Sequence, residues 1–145
     1  STRVRTGAGG EPESQEKTAA DDAAIVRIDW ERHKYLQVLG KRQDPELFSM
    51  LIRSFLDDAP MRIVTMWHAL EMNDVSSIFT AAHSLKGICG NMGVMKMMHM
   101  SQGLQAAGRD ERLAGVEERL HAIEKEFEQV KEELQREFSF SETKA

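Results

Sequence analysis

Residues 74–92 read DVSSIFTAAHSLKGICGNM, and this stretch carries the clearest structural signal in the chain. Its apolar side chains recur at steps of three and four residues, which is the spacing of one face of an α-helix. Those side chains are Ile78, Ala81, Ala82, Leu85, Ile88 and Met92. Asn73 or Asp74 can cap the first turn, because a short polar side chain accepts a hydrogen bond from the free N–H groups there. The stretch therefore predicts an amphipathic helix that buries one face in a core.

The helical periodicity continues on both sides of this stretch. No proline follows Pro60, and no segment shows the strict alternation of a half-buried strand. Five helices are predicted: from Asp29 to Gly40, from Asp44 and Pro45 to Leu70 with a kink at Pro60, from Asp74 to Met92, from Val94 to Ala107 with Gly108 as its end, and from Glu111 to Phe138. We therefore expect an all-α fold: an antiparallel up-and-down helical bundle with a four-helix core, a short N-terminal helix and a long C-terminal helix.

The two ends of the chain are predicted to lie outside this bundle. Residues 1–24 contain one valine and no other large apolar side chain, which is too little to offset the entropy lost on ordering them. We expect a disordered linker or tail over residues 1–24, the bundle over residues 25–138 and a flexible tail over residues 139–145. The chain starts at Ser1 without a methionine, which favours its being part of a longer protein.

Composition argues against several classes of protein. The 145 residues carry a formal net charge of −5, which argues against nucleic acid as the main partner. A single cysteine excludes a disulfide framework. No apolar run approaches the roughly 20 residues of a membrane span, so a cytoplasmic location is expected. No metal site is expected, because a di-iron bundle needs two Glu-x-x-His motifs and only Glu118 to His121 fits one. No glycine-rich phosphate loop is present, so neither an ATP site nor enzyme activity is expected.

The second face of the central helix carries polar residues and glycines, namely Thr80, His83, Lys86, Gly87 and Gly90. A glycine inside a helix costs about 1 kcal/mol relative to alanine, so its use here indicates that another surface approaches His83 closely. Histidine can act as a covalent nucleophile, and the ammonium of Lys86 one turn away suits an anionic phosphoryl group. These residues indicate a phosphohistidine site, and the simpler interpretation is an ordinary solvated polar face.

The segment Ala81–Gly93, AAHSLKGICGNMG, resembles the histidine-containing phosphotransfer (HPt) domains of two-component phosphorelays, whose motif is A-H-x-L-K-G-x-x-x-x-x-G. The likeness extends through FLDDAP at 55–60 and ALEMND at 69–74, and it covers roughly residues 28–109. It implies that His83 is phosphorylated at Nε2, that Lys86 balances the phosphoryl charge and that Gly87 leaves space for a receiver domain. Ile88 and Cys89 depart from the small residues frequent at those positions.

The same resemblance implies further site residues. Gln105 and Arg109 match a glutamine and an arginine that some members carry on the next helix, and Gln105 could orient the imidazole by accepting from Nδ1. The surface that binds the partner is expected to include Gly87, Gly90, Thr80, Ser84, Met92 and Met95. No cofactor is expected on this chain, because Mg²⁺ would belong to the partner receiver domain.

Two functions are therefore predicted. The first is a phosphorelay intermediate that accepts a phosphoryl group on His83 from a receiver-domain aspartate and passes it to another receiver, with response regulators and a sensor histidine kinase as partners. Such a chain is a phosphocarrier, free or as a portion of a hybrid histidine kinase. The second is a dimerisation module, because Ile123, Phe127, Val130 and Leu134 follow the spacing of a coiled-coil seam and could form a homodimer through residues 120–134.

Overall fold

The computed structural model of the chain describes residues 24–43 and 46–144. Five α-helices account for nearly all of these residues, and no strand occurs among them. They are α1 (Trp30–Gln43), α2 (Leu47–Glu71), α3 (Val75–Asn91), α4 (Met95–Arg109) and α5 (Val116–Lys144). The all-α prediction is confirmed. The predicted linker at 1–24 falls outside the described residues apart from Ala24, and so do the predicted cap Asp44 and Pro45.

Helices α2 to α5 form the four-helix core, and each of them packs against two neighbours. The contacts run from α2 to α3, from α3 to α4, from α4 to α5 and from α5 back to α2, while α1 packs on α2. Short turns join successive helices of this ring, so neighbouring helices run antiparallel. The α3–α4 pair has the most extensive contact, and this pair carries the candidate site.

Two predicted caps hold the starts of α1 and α3. Asp29 Oδ1 accepts hydrogen bonds from the backbone N–H groups of Glu31 at 3.1 Å and Arg32 at 3.2 Å. Asp74 accepts from the backbone N–H of Ser77 at 3.1 Å and from its hydroxyl at 2.6 Å, and these bonds lower the pKa of Asp74. Each carboxylate satisfies donors that the first helical turn leaves without an intrahelical partner.

Several predicted helix ends differ from the structure. α1 continues through Gly40 to Gln43, and α4 continues through Gly108 to Arg109, because a glycine adopts helical backbone as readily as it ends a helix. α5 begins at Val116 rather than Glu111, since Glu111 (φ 55°) and Gly115 (φ 85°) are left-handed and cannot lie inside a helix. α5 then runs to Lys144, through the segment predicted as a flexible tail, because no glycine or proline interrupts it.

The coiled-coil interpretation of α5 is wrong for the residues on which it depended. Ile123 and Val130 are 0% exposed, Leu134 is 1% exposed and Phe127 is 5% exposed within the chain's own bundle. The Phe127 ring lies 6.1 Å from the ring of Phe55 on α2. These side chains fill the core, so they cannot also form a seam with a second copy through residues 120–134.

Residues Arg27–His33 lie across the turn that joins α3 to α4, and we call this segment the N-terminal clasp. Its backbone makes two hydrogen bonds to the turn: Asp29 N–H donates to the carbonyl of Gly93 at 2.7 Å, and Met95 N–H donates to the carbonyl of Arg27 at 3.0 Å. The buried His33 ring donates from Nε2 to the carbonyl of Met92 at 2.5 Å. The clasp therefore satisfies backbone groups that the turn would otherwise expose.

Arg27 also ties the clasp to α5. Its guanidinium contacts Glu126 at 2.6 and 3.3 Å and Glu133 at 2.9 Å, and these carboxylates raise the pKa of Arg27. Lys96 from α4 lies 3.5 Å from the same Glu126. Glu126 is only 5% exposed, and its charge is balanced by these two cations. This ion-pair cluster joins three parts of the chain at one end of the bundle.

Candidate functional site

Most of the predicted site residues lie on the outward face of α3. Thr80, His83 and Gly87 are exposed, Ser84 and Lys86 are half-buried, and Ala82 and Leu85 on the opposite face are 0% exposed. The amphipathic pattern of the sequence therefore places the exposed His83 at the middle of a 17-residue helix of nearly five turns. Helical side chains lean towards the N-terminus, so Lys86 extends back over the turn that carries His83.

The imidazole of His83 stacks on the ring of Phe79, one turn earlier on α3. The two ring centroids are 6.2 Å apart and the ring planes differ by only 7°. Phe79 is not among the residues that the sequence pattern predicts for the core or for the site. The spacing of four residues would have found it, since residues i and i+4 of a helix lie one above the other.

Gly87 and Gly90 face different surroundings. A methyl group added at Gly87 would meet no heavy atom within 4 Å beyond its chain neighbours and the backbone of its own helix. The space beside His83 is therefore open, as predicted. A methyl group at Gly90 would lie 3.2 Å from the sulfur of Met98 on α4. Gly90 is therefore less open than Gly87, because Met98 of α4 lies beside it, and its place in a partner-binding surface stays a prediction.

A close approach between α3 and α4 lies beside Phe79. A Cβ atom at Gly108 would be 2.6 Å from the backbone nitrogen and 2.8 Å from the Cα of Phe79, so only glycine fits at this crossing. Because the helices run antiparallel, Gly108 opposite Phe79 and Met98 opposite Gly90 place Gln105 at the level of His83. Gln105 therefore lies at about the same height along the helix pair as His83, and its role at the site stays a prediction.

Gln105 and Arg109, the two site residues predicted on α4, differ in their exposure and in their polar partners. Gln105 is half-buried, and its Oε1 is a buried acceptor with no hydrogen-bond donor among the described residues. The predicted bond from His83 Nδ1 to this oxygen is therefore not formed in this structure. Arg109 is exposed at the end of α4, and its Nε lies 3.4 Å from the carboxylate of the adjacent Asp110. Neither of these atoms is hydrogen-bonded to His83.

Two predicted partner-binding methionines lie away from the site. Met92 is 4% exposed and packs in the core at the end of α3, roughly 14 Å along the helix axis from His83. It cannot form part of a docking surface, because its side chain is already buried. Met95 is half-buried at the start of α4, where its backbone is held by the clasp.

The described residues offer little support for metal or thiol chemistry. No group of three or more histidine, cysteine, aspartate or glutamate side chains is close enough to hold a metal ion in the described ranges. Burial raises the pKa of Cys89 to about 12, so this thiol stays protonated in the core. Between residues 24 and 144, where the chain is described, no helix combines the length and apolarity needed to cross a bilayer.

The arrangement suits transfer of an anionic group to and from a surface histidine. The exposed imidazole supplies a nitrogen nucleophile, the ammonium of Lys86 supplies a compensating charge, and the open ground at Gly87 admits a second protein. An exposed site of this kind cannot exclude water alone, so the remaining catalytic groups must come from the partner that covers it.

Comparisons with known proteins agree with this chemistry. A model of the family described as Hpt domain matches residues 50–133. Among solved structures, histidine-containing phosphotransfer protein B from Pseudomonas aeruginosa PAO1 superposes with a TM-score of 0.71 at 24% sequence identity, covering 77% of this chain and 93% of that chain. That likeness concerns the fold. No curated protein matches the chain.

Proposed function

The chain belongs to the Hpt domain family and is a histidine phosphotransfer intermediate of phosphorelay signalling, and we propose that His83 is the residue that carries the phosphoryl group. The observation that carries this proposal is the position of His83: exposed at mid-helix, stacked on Phe79 and adjacent to Lys86 and open ground at Gly87. As members of this family are phosphocarriers, the reaction centre is completed by a receiver domain.

The other four histidines are poorer acceptors for physical reasons. His33 is buried and donates to the carbonyl of Met92, and His99 is half-buried on α4. His68 and His121 are exposed, but each lies 3.7–4.0 Å from a glutamate carboxylate. Those carboxylates would repel a phosphoryl dianion, whereas the nearest charged side chain on the His83 face is the cation of Lys86.

The proposed step balances without a further reactant. The lone pair on Nε2 of neutral His83 attacks the phosphorus of an aspartyl phosphate, the bond from phosphorus to the aspartate oxygen breaks, and the aspartate leaves as a carboxylate. The proton on Nδ1 stays in place, so the product is a phosphorylated imidazolium, and transfer to a second receiver reverses the step. The ammonium of Lys86 faces the phosphoryl oxygens, so it lowers the energy of the transition state and of the phosphohistidine, in both of which these oxygens are negatively charged.

Gln105 and Arg109 are proposed as supporting residues on α4. The buried Oε1 of Gln105 lacks a donor and lies at the level of His83, so it can accept a hydrogen bond from Nδ1–H when the imidazole rotates towards it. That bond would stabilise the imidazolium form produced by the transfer. Arg109, exposed at the end of the same helix, would contact the approaching receiver or its phosphoryl group.

The partner-binding surface is proposed to centre on Thr80, Ser84 and Gly87. Both phosphoryl donor and acceptor are receiver domains in this proposal, on separate response regulators or within a hybrid histidine kinase, and Mg²⁺ belongs to the receiver. The cytoplasmic location stays part of the proposal. The dimerisation hypothesis is not carried forward, because its seam is buried in the core.

The assignment of His83 is tested by incubating the chain with a receiver domain that carries radioactive phosphate. We expect label on the wild-type chain that is lost in acid and stable in base, as a phosphohistidine is, and no label on His83→Gln. His121→Gln is the matched control, since it removes another exposed histidine, and it should be labelled like the wild type. Acid-stable label, or label on His83→Gln, would contradict the proposal.

A further inference from the structure

The stack between Phe79 and His83 differs from the other contacts between histidine and aromatic rings in the described residues. Its planes are nearly parallel, 7° apart, whereas the pairs Trp30–His33, His33–Phe48 and Trp67–His121 meet at 63°, 82° and 62°. A centroid distance of 6.2 Å lies within the range of about 4.5–7 Å typical of aromatic pairs, so the two rings are offset and parallel. A parallel contact restrains the plane of the imidazole.

Helix geometry explains why this contact forms on α3. Side chains in a helix lean towards its N-terminus, so the ring of His83 lies back over the turn that carries Phe79. The same rule directs the side chain of Lys86 towards the turn that carries His83. Phe79, His83 and Lys86 therefore follow one another along one face of the helix.

The position of Phe79 is itself fixed by α4. The backbone of Gly108 packs against the backbone nitrogen, Cα and Cβ of Phe79, where an added methyl group would come within 2.6, 2.8 and 3.0 Å of those atoms. This contact limits the freedom of the Phe79 side chain at its base, while its half-buried ring stays against the imidazole. The residue that carries the stacked ring is thus held by a close backbone contact between α3 and α4.

We propose that Phe79 is a positioning residue for phosphoryl transfer, holding the plane of the His83 imidazole before a partner docks. This inference rests on the proposed role of His83. An exposed imidazole otherwise samples several orientations about its side-chain torsions, and only some of them align a ring nitrogen with an incoming phosphorus. A stack that removes the unproductive orientations raises the rate without adding a contact to the phosphoryl group.

The proposal is tested with phosphoramidate, a small phosphoryl donor that has no protein surface. Phe79→Leu keeps an apolar side chain and removes the ring, and we expect it to slow phosphorylation of His83 by about 2- to 10-fold, the factor that corresponds to an aromatic pair. Phe79→Tyr keeps the ring and should restore the wild-type rate within about twofold. Phe48→Leu, which removes a ring beside the buried His33, is the matched control and should react like the wild type.

A spectroscopic readout separates positioning from general destabilisation. Proton resonances of the His83 ring should be shifted by the ring current of Phe79 and should move in Phe79→Leu but not in Phe48→Leu, which should instead move those of His33. A wild-type rate for Phe79→Leu with phosphoramidate overturns the proposal, as does an equal loss for the tyrosine variant. A loss seen only with a phosphorylated receiver overturns it too, because Phe79 would then contact the partner. Label persisting in His83→Gln would instead overturn the proposed function.

Discussion

Gly87 and Gly108 are both helical glycines, but they face opposite environments. Gly87 borders solvent beside His83, and Gly108 lies against the backbone of Phe79 at the crossing of α3 and α4. In the first case the missing side chain leaves room for a molecule outside the chain. In the second it lets two helices of the same chain touch, which sets the position of Gln105 relative to His83.

Replacing each glycine by alanine should therefore change stability in opposite directions. Gly87→Ala meets no neighbour and should raise the free energy of unfolding by up to about 1 kcal/mol through better helix propensity. Gly108→Ala places a methyl group against backbone that cannot rotate away, and it should lower the same quantity by about 1–3 kcal/mol. Urea unfolding of both variants measures the two changes.

The Gly87→Ala variant also tests whether the open space at Gly87 serves the docking of a receiver domain. Its added methyl group should slow transfer from a phosphorylated receiver while leaving phosphorylation by phosphoramidate near the wild-type rate, since only the larger donor needs the space. Equal rates with the receiver would show that this glycine does not serve docking. A gain in stability for Gly108→Ala would contradict the close helix crossing.

At the residue scale, the sequence was sufficient to place side chains whose position depends only on their own helix. His83, Lys86 and Gly87 follow from spacing on α3, and the structure places all three on its outward face. Phe79, Gly90 and Gly108 could not be interpreted in the same way, because what they touch depends on where α4 crosses α3. A glycine that admits a partner and a glycine that admits a neighbouring helix look identical in a sequence.

At the scale of elements, the N-terminal clasp connects α4 and α5 through one buried carboxylate. Glu126 lies within the highly charged stretch of α5, where spacing alone suggests a solvated residue, yet its side chain is 5% exposed. Its two cationic partners come from distant parts of the chain, Arg27 before α1 and Lys96 on α4. Tertiary pairing of this kind leaves no periodic signal in the sequence.

Glu126→Gln should destabilise the fold by about 1–3 kcal/mol, because it leaves two partly buried cations without their shared counter-charge. Glu128→Gln changes an exposed carboxylate two residues further along the same helix, and it should stay within about 0.5 kcal/mol of the wild type. Thermal and urea unfolding of both variants provide the measurement. An equal effect of the two substitutions would mean that the cluster contributes nothing specific.

The sequence pattern of α5 is compatible with more than one packing partner and with more than one starting residue. The heptad spacing of α5 fits a core helix and a dimer seam equally well, and the closed ring of α2 to α5 decides for the core. The start of α5 was predicted five residues early, because charged residues at 111–112 are good helix formers and the left-handed backbone at Glu111 and Gly115 is a property of the turn. The all-α bundle itself followed from periodicity alone.

At the scale of the whole molecule, stability should depend on pH through His33. Burial lowers the pKa of His33 from its ordinary value of 6.5, with the nearby Arg32 acting in the same direction and the Met92 carbonyl and Asp29 opposing it. The fold therefore holds His33 neutral, whereas the unfolded chain binds a proton below pH 6.5. This contribution to stability is fully present above pH 6.5 and is lost as the pH falls through the lowered pKa.

We expect the free energy of unfolding to fall between pH 7.5 and 5.5 with an added slope of at most about 1.4 kcal/mol per pH unit from this residue. In His33→Gln the amide can still donate to the Met92 carbonyl, and the added slope should disappear. His68→Gln changes an exposed histidine and should keep the wild-type slope. A slope unchanged in His33→Gln would assign the pH dependence to other groups.

The pairing of Arg27 with Glu133 has a consequence for the order in which the fold is completed during synthesis. The two residues are 106 positions apart in the chain but only 2.9 Å apart in space. The contacts of α2 with α3 and of α3 with α4 join segments that leave the ribosome in succession, so they can form early. Arg27 emerges before all of them, but its ion pair with Glu133 cannot form until α5 has been synthesised. We therefore expect the link between the clasp and α5 to form after the α3–α4 pair has packed.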